Sequence, residues 1–164
     1  MIGEYGRIIY KTLSGYTFNR CEMVFTTLIS AGELAEREAN IRKAPCIFQR
    51  FIEKSYEFRV TVVGGSIFTA RLNSQKLPET SLDWRRDQLA DMYEVDDLPQ
   101  EVVRKISAFQ KAAGLSFAVY DLAVDKEGKV WFLECNPAGQ WLWIEELLGI
   151  PISIALASLL TARE

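Results

Sequence analysis

Two adjacent glycines fix the geometry of the longest strand pair this chain can make. Gly64-Gly65 separates Glu57-Phe-Arg59-Val-Thr-Val-Val63 from Ser66-Ile-Phe-Thr-Ala-Arg71-Leu-Asn73. A glycine pair between two such β-branched and aromatic runs predicts a tight hairpin turn. Pairing outward from the turn puts Val63 opposite Ser66 and Arg59 close to Ala70. Strand alternation then gathers Glu57, Arg59 and Thr61 on one face, which is polar where a core strand would be apolar. Glu57, Arg59, Arg71 and Asn73 all reach the same end of the hairpin. Two readings stay open. Either this is an exposed face carrying cross-strand ion pairs, or Arg59 and Arg71 are aimed at an anionic ligand.

A second hairpin carries the carboxylates. Leu115 to Val124 predicts a strand, Asp125-Lys-Glu-Gly128 a turn with glycine at its tight position, and Lys129 to Cys135 the returning strand. If Val124 pairs with Lys129, Asp121 faces Phe132 and Glu134 is its diagonal neighbour. In the alternative register, Asp121 and Glu134 are directly opposite. In both they share a face, with Cβ atoms roughly 5–8 Å apart. Asn136 follows Glu134 by two residues and points the same way. A carboxylate among Val, Ala, Leu and Tyr is costly unless it is paired or metal-bound. No Lys or Arg lies on this hairpin's inner face. Hard oxygen donors projecting together from one strand face are the kind that hold Mg²⁺.

The remaining segments read as an α+β chain. Tyr5 to Lys11 enters as a strand and runs into a polar Ser/Gly loop around Gly15. Lys11 there is either a solvated strand-end lysine or a phosphate ligand beside amide donors; the P-loop pattern itself is absent. Met23 to Thr27 predicts a short strand, and Ser30 caps a short acidic helix that reaches Asn40. Cys46 to Lys54 predicts a strand, with a break at Ser55-Tyr56 before the glycine hairpin. Lys76 to Asp97 is the least regular stretch, and the Trp and two Arg of its Asp83-Trp84-Arg85-Arg86 cluster either pack the loop, the favoured reading, or clamp a substrate. Val102, Val103, Ile106, Phe109 and Ala113 recur at helical spacing from Gln100 to Ala113, and Gly114 closes that helix. The tail from Glu145 to Ala162 predicts a helix broken at Gly149-Ile-Pro151.

Composition removes several chemistries. The 164 residues contain no histidine, which excludes His-based zinc sites, His general bases and Ser-His-Asp triads. Three cysteines without a Cys-x-x-Cys pair, and no signal peptide, suit a reducing cytoplasm. A net charge of −3 offers no global nucleic-acid or membrane footprint. No apolar run reaches the roughly 18 residues that cross a bilayer.

The order of lysine strand, Ser/Gly loop, Phe48-Gln49-Arg50-Phe51-Ile52, Glu57-Phe-Arg59-Val-Thr-Val-Val-Gly64 and Asp121…Phe132-Leu-Glu134-Cys-Asn136-Pro-Ala-Gly139-Gln140-Trp141 resembles the ATP-grasp ligases. Asp83-Trp-Arg85 and Asn136-Pro-Ala-Gly-Gln-Trp-Leu-Trp143 resemble in particular the microviridin-type (graspetide) peptide maturases, which close ester or amide rings on a ribosomal precursor. The resemblance implies an ATP-grasp fold of two antiparallel-sheet-plus-helix lobes. Residues 1–54 would form part of a smaller nucleotide-binding lobe, and 55–164 a C-terminal lobe with a metal site. It further implies Asp121, Glu134 and Asn136 as Mg²⁺ ligands on ATP phosphates, and Lys11 as the nucleotide-binding lysine. Gln49, Arg50, Phe51 and Ile52 would lie over adenine, with Glu57 an acceptor for ribose hydroxyls. Arg59 and Arg71 would meet the γ-phosphate and an acyl-phosphate intermediate. The family's N-terminal domain, with an earlier lysine, has no counterpart before Lys11. The chain is therefore expected to be the C-terminal portion of a longer enzyme, with weak or absent ligation alone. Its expected partner is a precursor peptide, with no nucleic acid or membrane, and with homodimerisation through free strand edges as a further expectation. Rival readings are an ATP-grasp ligase adding an amino acid to a peptide or small acid, and a non-catalytic fragment that binds nucleotide or self-associates.

Overall fold

Among the described residues, two antiparallel sheets carry the strands. The computed structural model describes residues 6–13, 25–43, 45–86 and 90–162. Most of the loop after Lys11 and the Met23-Val24 start of the next predicted strand lie outside the described residues. The α+β class read from the sequence, with two antiparallel sheets and helices, is the one observed. Contacts divide the chain into two units, Met1–Glu53 with Leu77–Gln88, and Lys54–Lys76 with Leu89–Glu164.

In the first unit β1 (Ile8–Thr12) lies between β2 (Thr27–Ile29) and β3 (Cys46–Arg50). Ile8 sits opposite Ile29, and both are buried. Helix α1 (Ala31–Ile41) starts with a capping box. The Glu33 amide donates to Ser30 Oγ at 3.4 Å and the Ser30 amide to Glu33 Oε2 at 3.0 Å, so two otherwise orphaned donors are satisfied. The stretch read as irregular contains helix α2 (Pro78–Leu82) and a 3₁₀ turn at Trp84–Arg86. Asp83 between them ties this segment to the start of β2. It accepts from the Thr26 amide at 3.0 Å and from Arg85 Nη2 at 2.6 Å and Nε at 2.8 Å. Within the Asp83-Trp-Arg85 motif, Asp83 is thus a structural tie.

The second unit holds a five-stranded sheet in the order β6-β5-β4-β7-β8. These are β4 (Lys54–Val63), β5 (Ser66–Leu72), β6 (Tyr93–Val95), β7 (Phe117–Asp125) and β8 (Val130–Asn136). The glycine hairpin has the expected register, Val63 on Ser66 and Arg59 on Ala70. The break before it falls at residues 51–53, not at Ser55-Tyr56, which lie inside β4 next to a register irregularity. Edge strand β6 was not legible, because three residues are too few for alternation to show. Helix α3 (Gln100–Ala112) ends in a Schellman motif at Gly114, φ 64°, where the Leu115 amide reaches Gln110 O and the Gly114 amide Lys111 O. Ile106 of α3 packs with Phe58, Val60 and Val62 of β4 and with Ala118, Tyr120, Leu122 and Val124 of β7. Each of the Val, Leu, Ile and Phe side chains among them contributes about 1.5–3 kcal/mol of burial, so this one face anchors the sheet. Helices α4 (Leu142–Leu148) and α5 (Ile152–Thr161) follow, separated at Gly149 as expected. No helix among the described residues is long and apolar enough to cross a membrane.

The β7–β8 register matches neither simple alternative over its whole length. Near the turn, Val124 pairs with Val130 and Leu122 with Phe132. Continued regularly, that pairing would set Asp121 against Leu133 and turn Glu134 toward the Tyr120 face. A bulge after Leu122–Phe132 absorbs Leu133, and Asp121 then pairs with Glu134 and Val119 with Asn136.

Candidate functional site

The bulge matters because it returns the three oxygen donors to one face. Asp121 stands directly opposite Glu134, and Asn136, one pair further on, shares their side. Cys135, between them in sequence, packs against the core cluster on the other side. Asp121 is partly buried, whereas Glu134 and Asn136 are exposed. Asn136 Oδ1 accepts the Ala138 amide at 2.9 Å, which folds the following turn back on it. Among the described residues no group of three His, Cys, Asp or Glu could hold a metal. The donor set here is two carboxylates and a carboxamide, all hard oxygens, and that chemistry fits a small divalent cation.

Arg59 extends this row. It pairs with Asp121 across β4–β7, and its Nη1 donates to Asp121 Oδ1 at 2.8 Å. The cation that Asp121 lacks on its own hairpin is supplied by the neighbouring strand. Arg59 Nη2 donates to the Gln140 carbonyl at 2.8 Å. The face formed by Glu57, Arg59 and Thr61 is therefore buried, at 5%, 9% and 1% exposure, and not a solvated ion-pair surface.

Glu57 lies one row away. Its carboxylate accepts from Lys54 Nζ at 2.8 Å and from the fully buried Ser74. Burial pushes the Glu57 carboxyl above its ordinary value, and Lys54 offsets only part of that. The carboxylate expected to meet ribose is thus occupied within its own unit. Arg71 pairs with Phe58, whose side chain enters the core, so it leaves the sheet on the face opposite to Arg59. It lies over the Tyr56 ring at 3.8 Å, donates to Asn73 Oδ1 at 3.1 Å, and stands near Glu94 and Asp96. Arg59 and Arg71 do not converge on one point of the hairpin, because adjacent pairs alternate faces.

The first unit carries the other expected residues. Ile9 pairs with Gln49 and Lys11 with Ile47, so Lys11 and Gln49 share a sheet face. Gln49 Oε1 is buried without a hydrogen-bond partner. Arg50 ends β3 opposite Ile8, which puts it on the other face. Phe51 and Ile52 follow β3 outside any strand or helix, with Arg7 over the Phe51 ring at 4.6 Å. Sequence reasoning missed Lys54, Ser74 and the Gln140 carbonyl. Backbone acceptors leave no trace in residue type, but Gly139 beside Gln140 was a usable signal of close approach.

Comparison with solved structures shows the fold to be that of the ATP-grasp ligases. The structure is similar to a RiPP-associated ATP-grasp ligase of Chryseobacterium gregarium in complex with ADP and a leader and core peptide, with TM-score 0.88, 28% identity, and coverage of 97% of this chain and 49% of that one. The macrocyclase MdnC of Microcystis aeruginosa, bound with precursor peptide MdnA, matches with TM-score 0.78 and 34% identity over 97% of this chain and 50% of its own. The ligase PsnB, complexed with a precursor variant, Mg and ADP, shares the fold at TM-score 0.72 and 21% identity over 96% of this chain and 48% of its own. The chain spans about half the length of these structures. No protein-family model and no curated protein matches it.

Proposed function

We propose that this chain carries the metal- and nucleotide-binding part of an ATP- and Mg²⁺-dependent carboxylate ligase that forms ester or amide crosslinks in a ribosomally made peptide. The observation that carries the proposal is the placement of Asp121 directly opposite Glu134, with Asn136 next on the same face. Those three side chains would hold Mg²⁺. The bound metal and ATP supply charge neutralisation on the phosphates and a phosphoryl group that activates a carboxylate as an acyl phosphate. The chain's own part is to present three hard donors from rigid strands. Lys11 and Gln49 in the first unit offer a cation and an unpaired buried acceptor, the two group types a nucleotide's phosphates and amino group use. No protein nucleophile is required, which agrees with a chain that has no histidine. The peptide substrate is supported by the ligands of the two relatives above, a leader and core peptide in one and a precursor peptide in the other. A reducing cytoplasm suits Cys46 and Cys135, both free thiols.

Calorimetry with ADP, with and without Mg²⁺, tests the metal–nucleotide reading. Wild type should bind ADP in an Mg²⁺-dependent way, and Glu134→Gln should lose that dependence. Equal Mg²⁺ dependence in both proteins would remove Glu134 from the site and sink the reading. A second reading, self-association, is favoured by β8. It is an edge strand, and it leaves Phe132 57% exposed beside the 47% exposed Phe109, their rings 6.0 Å apart. Light scattering on wild type and Phe132→Ser decides it: a dimer that the substitution dissociates supports it, and a monomeric wild type rejects it.

A further inference from the structure

The Gly139-Gln140 turn after β8 is the feature that the metal reading leaves without a task. Gly139 is buried, and its amide donates to Asn136 O at 3.2 Å. A Cβ built on it would lie 2.5 Å from Val119 Cβ and 2.8 Å from Val119 Cγ2. Real Cβ atoms do not approach that closely, so the turn rests on β7 at a point only glycine allows. Val119 is the residue paired with Asn136. The next residue, Gln140, gives its carbonyl to Arg59 Nη2, while Nη1 of the same guanidinium holds Asp121. The third nitrogen, Nε, is buried with no partner.

We propose, resting on the metal–nucleotide reading above, that Arg59 and Gly139 form one clamp that positions the metal donors, Arg59 acting as a positioning residue through Asp121 and the Gln140 carbonyl. The Arg59 side chain is only 10% exposed, and each terminal nitrogen of its guanidinium donates one hydrogen bond within the protein. A desolvated cation of this kind stays where its acceptors are fixed. One arginine thus sets the orientation of Asp121 and the height of the turn. The turn in turn sets Asn136, whose Oδ1 is bound by the Ala138 amide. Two of the three donors therefore depend on a single bridge from β4.

The sign of one effect separates this role from simple electrostatics. A cation beside Asp121 repels Mg²⁺, so if charge were all that mattered, removing it would tighten metal binding. A clamp predicts weakening instead. The apparent Mg²⁺ affinity is read from ADP titrations at stepped Mg²⁺. Arg59→Gln, Arg59→Lys and Gly139→Ala should each weaken it by about tenfold or more, the usual cost of losing support behind metal ligands. Lysine keeps the charge but cannot bridge two acceptors with a rigid fork. Arg59→Lys combined with Gly139→Ala should be no weaker than the worse single variant, because both act through one turn. Hydrogen exchange should be faster at the Ala138 and Gly139 amides in every variant. Tighter or unchanged Mg²⁺ binding in Arg59→Gln, or additive losses in the double variant, overturns the proposal. If Arg59→Gln does not fold, Arg59→Lys and Gly139→Ala decide the question by the same criterion. If wild type shows no Mg²⁺-dependent ADP binding, the nucleotide reading fails by itself. The clamp is then judged on exchange: acceleration at Ala138 and Gly139 in Arg59→Lys sustains it, and unchanged rates refute it.

Discussion

Replacing Asp83 with alanine should open the first unit. The side chain is 3% exposed and its carboxylate receives four donors: the Thr26 amide and Arg85 Nη2 on Oδ2, and the Arg85 amide and Nε on Oδ1. The Thr26 amide is buried, and leaving it without an acceptor costs about 1–3 kcal/mol. Arg85 is 38% exposed, so water replaces much of what it loses, and its share stays below about 1 kcal/mol. The combined loss is about 2–3 kcal/mol, and 2 kcal/mol alone raises the opened population about 30-fold. Asparagine is no rescue, since whichever oxygen becomes an NH₂ group then faces two donors. Amide exchange along β2 should accelerate by that factor in Asp83→Ala, and clearly less in Arg85→Met, where Thr26 keeps its acceptor. Acidification tests the same carboxylate. Burial pushes its pKa up, but the Arg85 and Thr26 hydrogen bonds outweigh this and hold it well below the ordinary value of 3.8. A depressed folded-state value means that the stabilisation is complete above 3.8 and is lost as the pH falls below it. Unchanged β2 exchange in Asp83→Ala, or an equal effect from Arg85→Met, would refute the assignment of the tie to the buried amide.

Glu57 should give the opposite pH signature. Its carboxyl is raised above 4.5 by burial, so the folded state binds the proton more tightly and stability falls as the pH rises from 4.5 through the folded value. Urea midpoints across that range should flatten in Glu57→Gln, and a profile unchanged by the substitution would remove Glu57 as the cause. Tyr120→Phe deletes a buried 2.7 Å hydrogen bond to Gln110 Oε1, whose Nε2 already lacks a partner. A loss of about 1–2 kcal/mol in urea unfolding is expected, and none at all would mean that Gln110 finds another donor.

Strand parity carried most of what was legible in the second unit. Gly64-Gly65 set the first hairpin to the residue, since a two-residue loop admits one pairing. The second hairpin has a longer turn. Asp125 Oδ1 takes the Glu127 and Lys129 amides there, so its register could not be counted from the glycine alone. Both candidate registers nonetheless put Asp121 and Glu134 on one face. The structure reaches the same face by another path, a regular pairing near the turn and then the bulge at Leu133. Parity is what the donor set requires, and a bulge restores parity as well as a register shift does.

What stayed illegible was the environment of those donors. Asp121 looks unpaired from its own hairpin alone, because its partner Arg59 is 62 positions away in sequence. Alternation placed Arg59 and Arg71 at the same end of a hairpin, but one residue of difference in pairing parity sends them to opposite faces. A pair of arginines near an anionic site in sequence is thus weaker evidence than one arginine whose facing residue is known. The same logic bears on the polar face of β4. Glu57 and Arg59 are buried there because each has a partner fixed by the sheet, Lys54 for one and Asp121 for the other. Charges at these positions would be untenable in a core without those partners. Arg59 can therefore be removed from this face only by disturbing Asp121, so under the proposed metal site the most damaging substitution need not be one in the donor set.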